Sequence, residues 1–142
     1  MNHAEQRVWM IQQLLDEDLN YKGYTIPNDT NEQKDMLRAL MNVREPKPIS
    51  QEFLDIQDEY LKEENNSVKI TDVNDLTPTK NDDRLYLWQG DITALRISAI
   101  TNPANDRMCG CFQPLHSCAD NIVHSKSGIQ LRGECFRIMK KQ

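Results

Sequence analysis

The sequence predicts an α/β domain that follows a helical N-terminal extension. Residues 1–83 contain three segments whose apolar side chains recur at helical spacing. From residue 84 onward the pattern changes to alternating and continuous apolar runs, which favour strands. The predicted order of strand, turn, strand, polar loop and helix is typical of the beginning of a layered α/β fold. We therefore place a boundary at residue 83, at the end of the turn-rich segment TDVNDLTPTKNDD.

Three helices are predicted in the extension. The first covers residues 5–18, where one stripe of the helix is apolar. The second begins near Thr30, because Thr30 and Gln33 form a capping-box pattern, and it ends at the segment REPKP. Ser50 is predicted to cap the third helix, which has a broad apolar face. Packing among the helices explains these patterns better than a catalytic role.

Short strands and two further helices are predicted after the third helix. Residues 68–70 form a candidate strand, and RLYLWQ, from Arg84, alternates in the manner of a second. Residues 97–101 (ISAIT) suit a buried strand of a parallel sheet. The segments CADNIVHSK and GIQLRGECFRIMKK read as two helices separated by Gly128.

Composition and charge limit the function classes. The chain has 142 residues, a mean hydropathy of −0.72 and a net charge of −5. Residues 1–83 carry nine basic and eighteen acidic side chains, which argues against a nucleic-acid partner. Residues 84–142 carry eight basic and four acidic side chains; this excess would suit a small anion such as a diphosphate, and chance unevenness explains it equally well.

The sequence also predicts where the protein resides. It contains no apolar run long enough to span a bilayer, so no membrane association is expected. Its N-terminus lacks the basic start and continuous apolar segment of a signal peptide. We therefore expect a cytoplasmic protein, in which clustered cysteines indicate metal binding or catalysis more than disulfides.

The strongest chemical signal is the spacing C-x4-H-x-C of Cys111, His116 and Cys118. Zinc favours thiolate and imidazole ligands, and three protein ligands with one open position are typical of a catalytic site. Cys109 is a candidate fourth ligand, which would make the site structural, or it points to the other side of the loop. A loop with buried, unliganded thiols is the remaining alternative.

Other polar residues have both a functional and a structural interpretation. Asp91 follows a predicted strand and a glycine, so it suits either an exocyclic amine of a base or an N-cap. Asn102 and Asn105 lie where α/β sheets bind ligands, and they are also good turn residues. Asp120 and His124 share a helix face, either as a base and its partner or as a helix-capping Asp and a buried, hydrogen-bonded histidine.

The glycine content bears on diphosphate binding. The chain has five glycines, and none forms a G-x-G or glycine-rich loop that could cradle a diphosphate through its backbone. A nucleotide-diphosphate site needs such a cluster of N–H donors. The sequence therefore predicts that the diphosphate part of such a site is missing from this chain.

Four segments, WQGDIT, AITNPAN, GCFQPLHSCADNIVH and GIQLRGEC, resemble the macrodomain family. They are similar to its zinc-containing bacterial and fungal branch, protein-ADP-ribose hydrolases often encoded beside a sirtuin-type ADP-ribosyltransferase and a lipoyl carrier protein. The helical first part also resembles that branch's N-terminal extension. The resemblance implies a three-layer α/β/α macrodomain fold, with the extension over residues 1–83 and the N-terminal half of a macrodomain over residues 84–142. Because the family continues beyond IMKKQ through further strands and a glycine-rich phosphate loop, the resemblance implies a truncated N-terminal portion.

The resemblance also implies a ligand site for ADP-ribose. By matching position, Asp91 and Ile92 would hold the adenine side. The pocket around the distal ribose would be formed by Asn105, Ala119, Asp120 and Asn121. The chain departs from the family pattern at three positions, where it has Ser98, Pro103 and Lys126.

The same resemblance assigns a metal and a reaction. Zinc would be bound by Cys111, His116 and Cys118 beside the distal ribose, and Asn105 and Asp120 would position the attacking water. The implied activity is zinc-dependent removal of ADP-ribose from a mono-ADP-ribosylated protein, for which a lipoyl carrier protein is one candidate. The alternatives are a module that binds ADP-ribose or zinc without catalysis, and an inactive fragment of such a hydrolase.

Overall fold

The computed structural model describes residues 1–141 and has a mostly helical α/β fold. Three helices come first: α1 (His3–Asp16), α2 (Thr30–Val43) and α3 (Gln51–Asn66). Two short strands, β1 (Thr71–Asp72) and β2 (Leu95–Arg96), are followed by α4 (Ala119–Ser127) and α5 (Ile129–Met139). Within residues 1–141, no helix is long and apolar enough to cross a membrane.

The apolar core lies among the first three helices. Helix α1 packs against both α2 and α3, and α4 also packs against α2 and α3. The core residues are Met10, Ile11, Leu14, Leu15, Leu37, Leu40, Met41, Phe53 and Tyr60. In α1 and α2 they recur at three- and four-residue spacing, and Phe53 and Tyr60 of α3 are two turns apart. The predicted apolar stripes are confirmed as the buried faces except at Val8, which was predicted in the stripe of α1 and is 37% exposed.

The helix starts follow local capping, with one correction. Ser50 caps α3 as predicted, since its hydroxyl accepts a hydrogen bond from the Phe53 N–H at 3.2 Å. Helix α2 is capped by Asp29 instead of Thr30, because the Asp29 carboxylate accepts from the N–H groups of Asn31 and Glu32 at 2.8 and 3.0 Å. A carboxylate at this position also complements the positive end of the helix dipole, which favours it over the threonine.

Gly128 separates α4 from α5, as predicted. Its φ is +83°, and a Cβ at this position would come within 2.4 Å of the side-chain nitrogen of Gln57. Gln57 is fully buried on α3, and its carbonyl oxygen accepts a hydrogen bond from the Ile129 N–H at 3.0 Å. Glycine is therefore needed at this junction, and a side chain of α3 provides the cap that glycine lacks.

The sheet is smaller than the sequence patterns predicted. Strands β1 and β2 pair in parallel, with Thr71 opposite Leu95 and Asp72 opposite Arg96. The α/β class is confirmed by this pair, whereas the three-layer macrodomain arrangement and the division at residue 83 stay predictions.

Two of the predicted strands do not form, and the one predicted over residues 68–70 is displaced to Thr71–Asp72. The segment RLYLWQ makes a single antiparallel bridge between Tyr86 and Pro78, and proline has no N–H with which to extend a ladder. Residues 97–101 were predicted to be a buried strand, but they have no ladder partner, and Ile97 and Ile100 are each 40% exposed. A parallel strand is buried only when neighbouring strands and helices cover both faces, which the two-residue pair does not provide.

An ion pair joins the end of α1 to the end of α2, and it makes stability depend on pH. Arg44 donates two hydrogen bonds to the Glu17 carboxylate, at 2.7 and 2.8 Å. Burial alone would raise the pKa of Glu17, but Arg44 and Lys47 outweigh burial and hold this pKa below its ordinary value. The ionised carboxylate therefore stabilises the folded state above about pH 4.3, and this contribution is lost as the pH falls through the lowered pKa.

We expect Glu17→Gln to lower the free energy of unfolding at pH 7 by about 1–2 kcal/mol, since two charged hydrogen bonds are weakened. Urea denaturation at pH 7 and near pH 3 measures the difference, which should shrink at the lower pH. Asp35→Asn is the matched control, because Asp35 is exposed in α2 beyond the first turn of the helix. An equal loss for Glu17→Gln at both pH values would contradict the prediction.

Candidate metal centre and ligand site

Cys111, His116 and Cys118 converge at the start of α4. Their ligand atoms all lie within 4.8 Å of one another, and Cys111 Sγ is 3.5 Å from His116 Nδ1. Tetrahedral zinc with Zn–S near 2.3 Å and Zn–N near 2.0–2.1 Å separates sulfur from nitrogen by about 3.6 Å. The Cys111–His116 spacing matches this value, and two thiols with one imidazole are a donor set that suits zinc.

Two local features place the thiols. Cys118 is the N-cap of α4, where its Sγ accepts a hydrogen bond from the Asn121 N–H at 3.4 Å. Cys111 follows Gly110, whose φ is +84° and whose missing Cβ leaves room for the His124 ring, since a Cβ would lie 2.9 Å from it. The loop can therefore pass closely over α4 only with glycine before Cys111.

Asn121 holds the loop from inside. Its side chain is fully buried, and its amide nitrogen donates to the carbonyl oxygens of Gln113 and Cys111 at 3.0 and 3.4 Å. Its side-chain oxygen accepts from Arg38 at 2.8 Å. Asn121 was predicted to line the ribose pocket; the structure places its side chain within the ligand loop, beneath the metal residues. Ala119, another predicted ribose contact, lies exposed at the start of α4.

Asp120 lies in a cluster of polar side chains with Asn102 and His124. Asn102 donates to Asp120 Oδ1 at 2.7 Å, which connects the end of the 97–101 segment to the first turn of α4. His124 Nε2 lies 3.6 Å from the same oxygen, and neither ring nitrogen makes a hydrogen bond within residues 1–141. Burial lowers the pKa of His124, Asp120 opposes this shift and Arg132 adds to it. His124 is thus buried, as its structural interpretation expected, but it lacks the hydrogen bond which that interpretation included, and Cys118 rather than Asp120 caps α4.

Asn105 closes a turn beside the metal loop. Its amide nitrogen donates to the Gly110 carbonyl at 3.2 Å, and its side-chain oxygen accepts from the Arg107 N–H at 3.1 Å. The turn ends at Met108, whose φ of +56° is unusual for a residue with a side chain. Asn105 itself is exposed, so a ligand could reach its side chain. Its role at the ribose stays a prediction.

Asp91 and Ile92 lie near the other end of α4. Asp91 accepts from the Thr93 N–H and hydroxyl at 2.9 and 2.7 Å, so it caps the turn Ile92–Ala94, in agreement with its structural interpretation. The Thr93 hydroxyl lowers the pKa of Asp91, burial raises it slightly, and Lys126 also lowers it. Ile92 lines an open cavity of about 280 Å³ together with Val123 and Lys126. The predicted adenine contact of Asp91 remains a prediction.

Cys109 does not join the metal group. The three ligand atoms that converge among the described residues come from Cys111, His116 and Cys118, whereas Cys109 is buried and its carbonyl accepts from Arg132 at 2.7 Å. Cys109 is therefore not a fourth member of this group, which offers three candidate metal ligands.

Two residues of the site were missed by the sequence analysis. Arg38 and Asn42 of α2 hydrogen bond to the backbone of His116 and Leu115. They are four residues apart, so they share one helix face, and that spacing was the available signal. Without the fold, a polar helix face is indistinguishable from a solvated one.

The chain is similar to curated proteins along its whole length. No protein-family model matches it. A curated protein-ADP-ribose hydrolase from Treponema medium is 48% identical over 144 aligned positions, which cover all of this chain and 55% of that protein. A curated protein-ADP-ribose hydrolase from Staphylococcus aureus (strain Mu50) is 44% identical over 117 residues, which cover 82% of this chain and 43% of that protein.

A third relative, from Fusarium oxysporum f. sp. cubense, carries the name probable bifunctional ADP-ribose hydrolase/ADP-ribosyltransferase. It is 38% identical over 135 residues, which cover 88% of this chain and 23% of that protein. The chain thus spans about half the length of the two hydrolases and less of the bifunctional protein. These homologues support the protein-ADP-ribose hydrolase family suggested by the motifs.

Proposed function

We propose that this chain is part of a zinc-dependent hydrolase that removes ADP-ribose from mono-ADP-ribosylated protein. The observation that carries the proposal is the convergence of Cys111, His116 and Cys118 at the start of α4, immediately before Asp120. The substrate class comes from the relatives, whose names describe hydrolysis of protein-linked ADP-ribose.

The proposed metal is held by Cys111, His116 and Cys118. Held by these three ligands, zinc would act as a Lewis acid and would polarise a water or a substrate oxygen. In the chain itself, Asn121 and Gly110 fix the loop so that the two thiols and the imidazole face one another.

Asp120 is proposed to accept a proton from the attacking water. Its carboxylate is buried and receives a hydrogen bond from Asn102, which fixes the orientation of its oxygens. A fixed carboxylate beside the ribose suits general-base catalysis because the proton acceptor is already in place. Asn105, which is exposed in the turn beside the metal loop, is proposed to position the water or the ribose hydroxyl.

The Cys–His–Cys group and the cavity lined by Ile92 lie near opposite ends of α4. Helix α4 has nine residues, so its ends are about 13 Å apart. The metal group lies at its first turn, while Ile92 and Lys126 line the cavity near its last turn. We propose that the distal ribose binds at the first end and the adenine at the second, beside Asp91 and Ile92.

The proposal predicts zinc-dependent release of ADP-ribose. The purified chain, loaded with zinc, is incubated with a mono-ADP-ribosylated protein, and free ADP-ribose is measured by mass spectrometry. An ADP-ribosylated lipoyl carrier protein is the first substrate proposed for this assay. The cytoplasm is the proposed location of the protein, because metal-binding thiols stay reduced there. We expect chelation to abolish release and added Zn²⁺, but not Mg²⁺, to restore it. Equal release with and without chelator would contradict the proposal.

A second candidate is a module that binds ADP-ribose or zinc without catalysis. It is favoured by the length comparison, since the chain spans 55% of the Treponema medium protein and 43% of the Staphylococcus aureus protein. Calorimetry with ADP-ribose separates the candidates: binding without turnover supports the module, whereas turnover excludes it. If the chain showed no binding and no turnover, it would be an inactive fragment.

A further inference from the structure

We infer that α2 positions the metal-ligand loop, with Arg38 and Asn42 as the positioning residues. This inference rests on the proposed metal site, which it extends to a part of the chain that carries no ligand. The loop between Gly110 and Cys118 contains no helix or strand, and within it the only backbone hydrogen bond runs from the His116 N–H to Gln113 at 3.3 Å. Its shape therefore depends on side chains from outside.

Arg38 fixes the carbonyl of a ligand residue. Its Nη2 donates to the His116 carbonyl oxygen at 2.8 Å and to the side-chain oxygen of Asn121 at 2.8 Å. Asn121 in turn holds the carbonyl of Cys111. One guanidinium group is thus bonded directly to the backbone of one ligand and through a single residue to the backbone of another. Guanidinium presents several donors in a fixed plane, which lysine does not reproduce.

Asn42 fixes the residue before the same ligand. Its side-chain oxygen accepts from the Leu115 N–H at 3.1 Å, and Asn42 is only 1% exposed. Leu115 has a φ of +57°, a left-handed conformation that costs a residue with a side chain about 1–2 kcal/mol. Asn42 therefore stabilises the turn that aims His116 toward the thiols.

Ser125 of α4 connects the two positioning residues. Its hydroxyl accepts from Arg38 Nε at 3.3 Å and from the Asn42 amide at 2.9 Å, and it donates to the Asn121 carbonyl at 2.8 Å. Every hydrogen-bonding capacity of this hydroxyl is used, so the group is a closed network. A shift of α2 would therefore move both sides of His116 relative to α4.

Metal affinity tests the inference directly. Groups that merely orient a metal ligand change affinity by about 10–100-fold when they are removed. Co²⁺ serves as the probe, because its visible absorption reports tetrahedral thiolate coordination, and Zn²⁺ competition then gives the Zn²⁺ affinity. We expect Arg38→Met and Asn42→Ser each to weaken binding by about 10–100-fold and to change the Co²⁺ spectrum. Arg38→Lys should recover only part of the loss.

Lys34→Met is the matched control. Lys34 lies one turn earlier on α2 and pairs with Glu64 on α3, away from the loop. Its variant should bind Co²⁺ as the wild type does. Circular dichroism and melting of the metal-free proteins separate a folding defect from a loop defect. Arg38→Met leaves the buried Asn121 oxygen without this donor, so its metal-free form should melt somewhat below the wild type and keep its helical circular-dichroism spectrum. Metal affinity is therefore measured well below that melting temperature.

The outcomes distinguish this inference from the proposed function. Wild-type Co²⁺ affinity and spectrum in both Arg38→Met and Asn42→Ser would overturn the inference and leave the metal site standing. Absence of Co²⁺ binding by the wild-type chain would overturn the metal site, and the inference with it. Weakened binding in both variants, with a folded metal-free chain and an unaffected Lys34→Met control, would support it.

Discussion

Replacing Arg132 with methionine is expected to lower the free energy of unfolding by about 3–5 kcal/mol. Arg132 is 4% exposed on α5, and no carboxylate forms an ion pair with it among residues 1–141. Its partners are four backbone carbonyls, those of Met41, Asn42, Arg44 and Cys109, at 2.7 to 3.2 Å. Methionine fills a similar volume but would leave these buried acceptors without a donor.

The position of these carbonyls explains how a buried cation is tolerated. Three belong to the last turn of α2 and the residue that ends it, where helix carbonyls lack intrahelical partners and the helix dipole is negative. Arg132 thus caps the C-terminus of α2 from α5. The guanidinium also lies 4.1 Å from the centre of the Phe112 ring, a favourable cation–π distance. Burial lowers the pKa of Arg132, and nearby Cys109 opposes this shift.

Urea denaturation monitored by circular dichroism measures the effect. Arg137→Met is the matched control: Arg137 is on the same helix, but it is exposed and paired only with Glu134, so no measurable loss is expected. Arg132→Lys should fall between the wild type and the methionine variant, since one ammonium group cannot reach all four carbonyls. If Arg132→Met and Arg137→Met were equally stable, the proposed role of Arg132 as a helix cap would be wrong.

The helices were predictable because their information is local. Ser50 and Gly128 mark helix ends through bonds and backbone angles within a few residues, and the structure confirms both. The cap of α2 was misassigned by one residue, since Asp29 and Thr30 are both good caps and only the geometry separates them.

The strands were less predictable because a strand needs partners. ISAIT has the composition of a buried strand. Composition shows that its side chains are suited to burial, but not whether neighbouring strands and helices cover them. In this chain Leu95 and Arg96 pair with β1, and the residues that follow find no ladder. Pairing in a sheet is a long-range property, which a local apolar pattern does not contain.

The candidate metal site shows the same division. Cys111, His116 and Cys118 were predicted because eight residues of chain hold all three, so their spacing alone limits their separation. Arg38 and Asn42 lie more than seventy residues earlier, and they reach the loop only because α2 packs against α4. The candidate ligands can therefore be identified from the sequence, whereas the distant side chains that bond to their loop cannot.

Replacing Cys118 with serine is expected to weaken Zn²⁺ binding by more than about 100-fold, because losing a ligand costs more than losing a group that orients one. A neutral hydroxyl is a poor substitute for thiolate at zinc. Serine is nevertheless a preferred N-cap, so it should keep the hydrogen bond that Cys118 Sγ accepts from the Asn121 N–H. Metal-free Cys118→Ser should therefore melt close to the wild type.

Cys118→Ala separates the two roles of the residue. It removes the ligand and the cap, so it should lose as much metal affinity as the serine variant and, in addition, about 1 kcal/mol of stability. Cys135→Ser is the control for a thiol outside the metal group. Isothermal titration with Zn²⁺ and thermal melting measure the two properties. Because the serine variant stays folded, its loss of ADP-ribose release would be attributable to the metal; full release without bound zinc would refute a zinc-dependent mechanism.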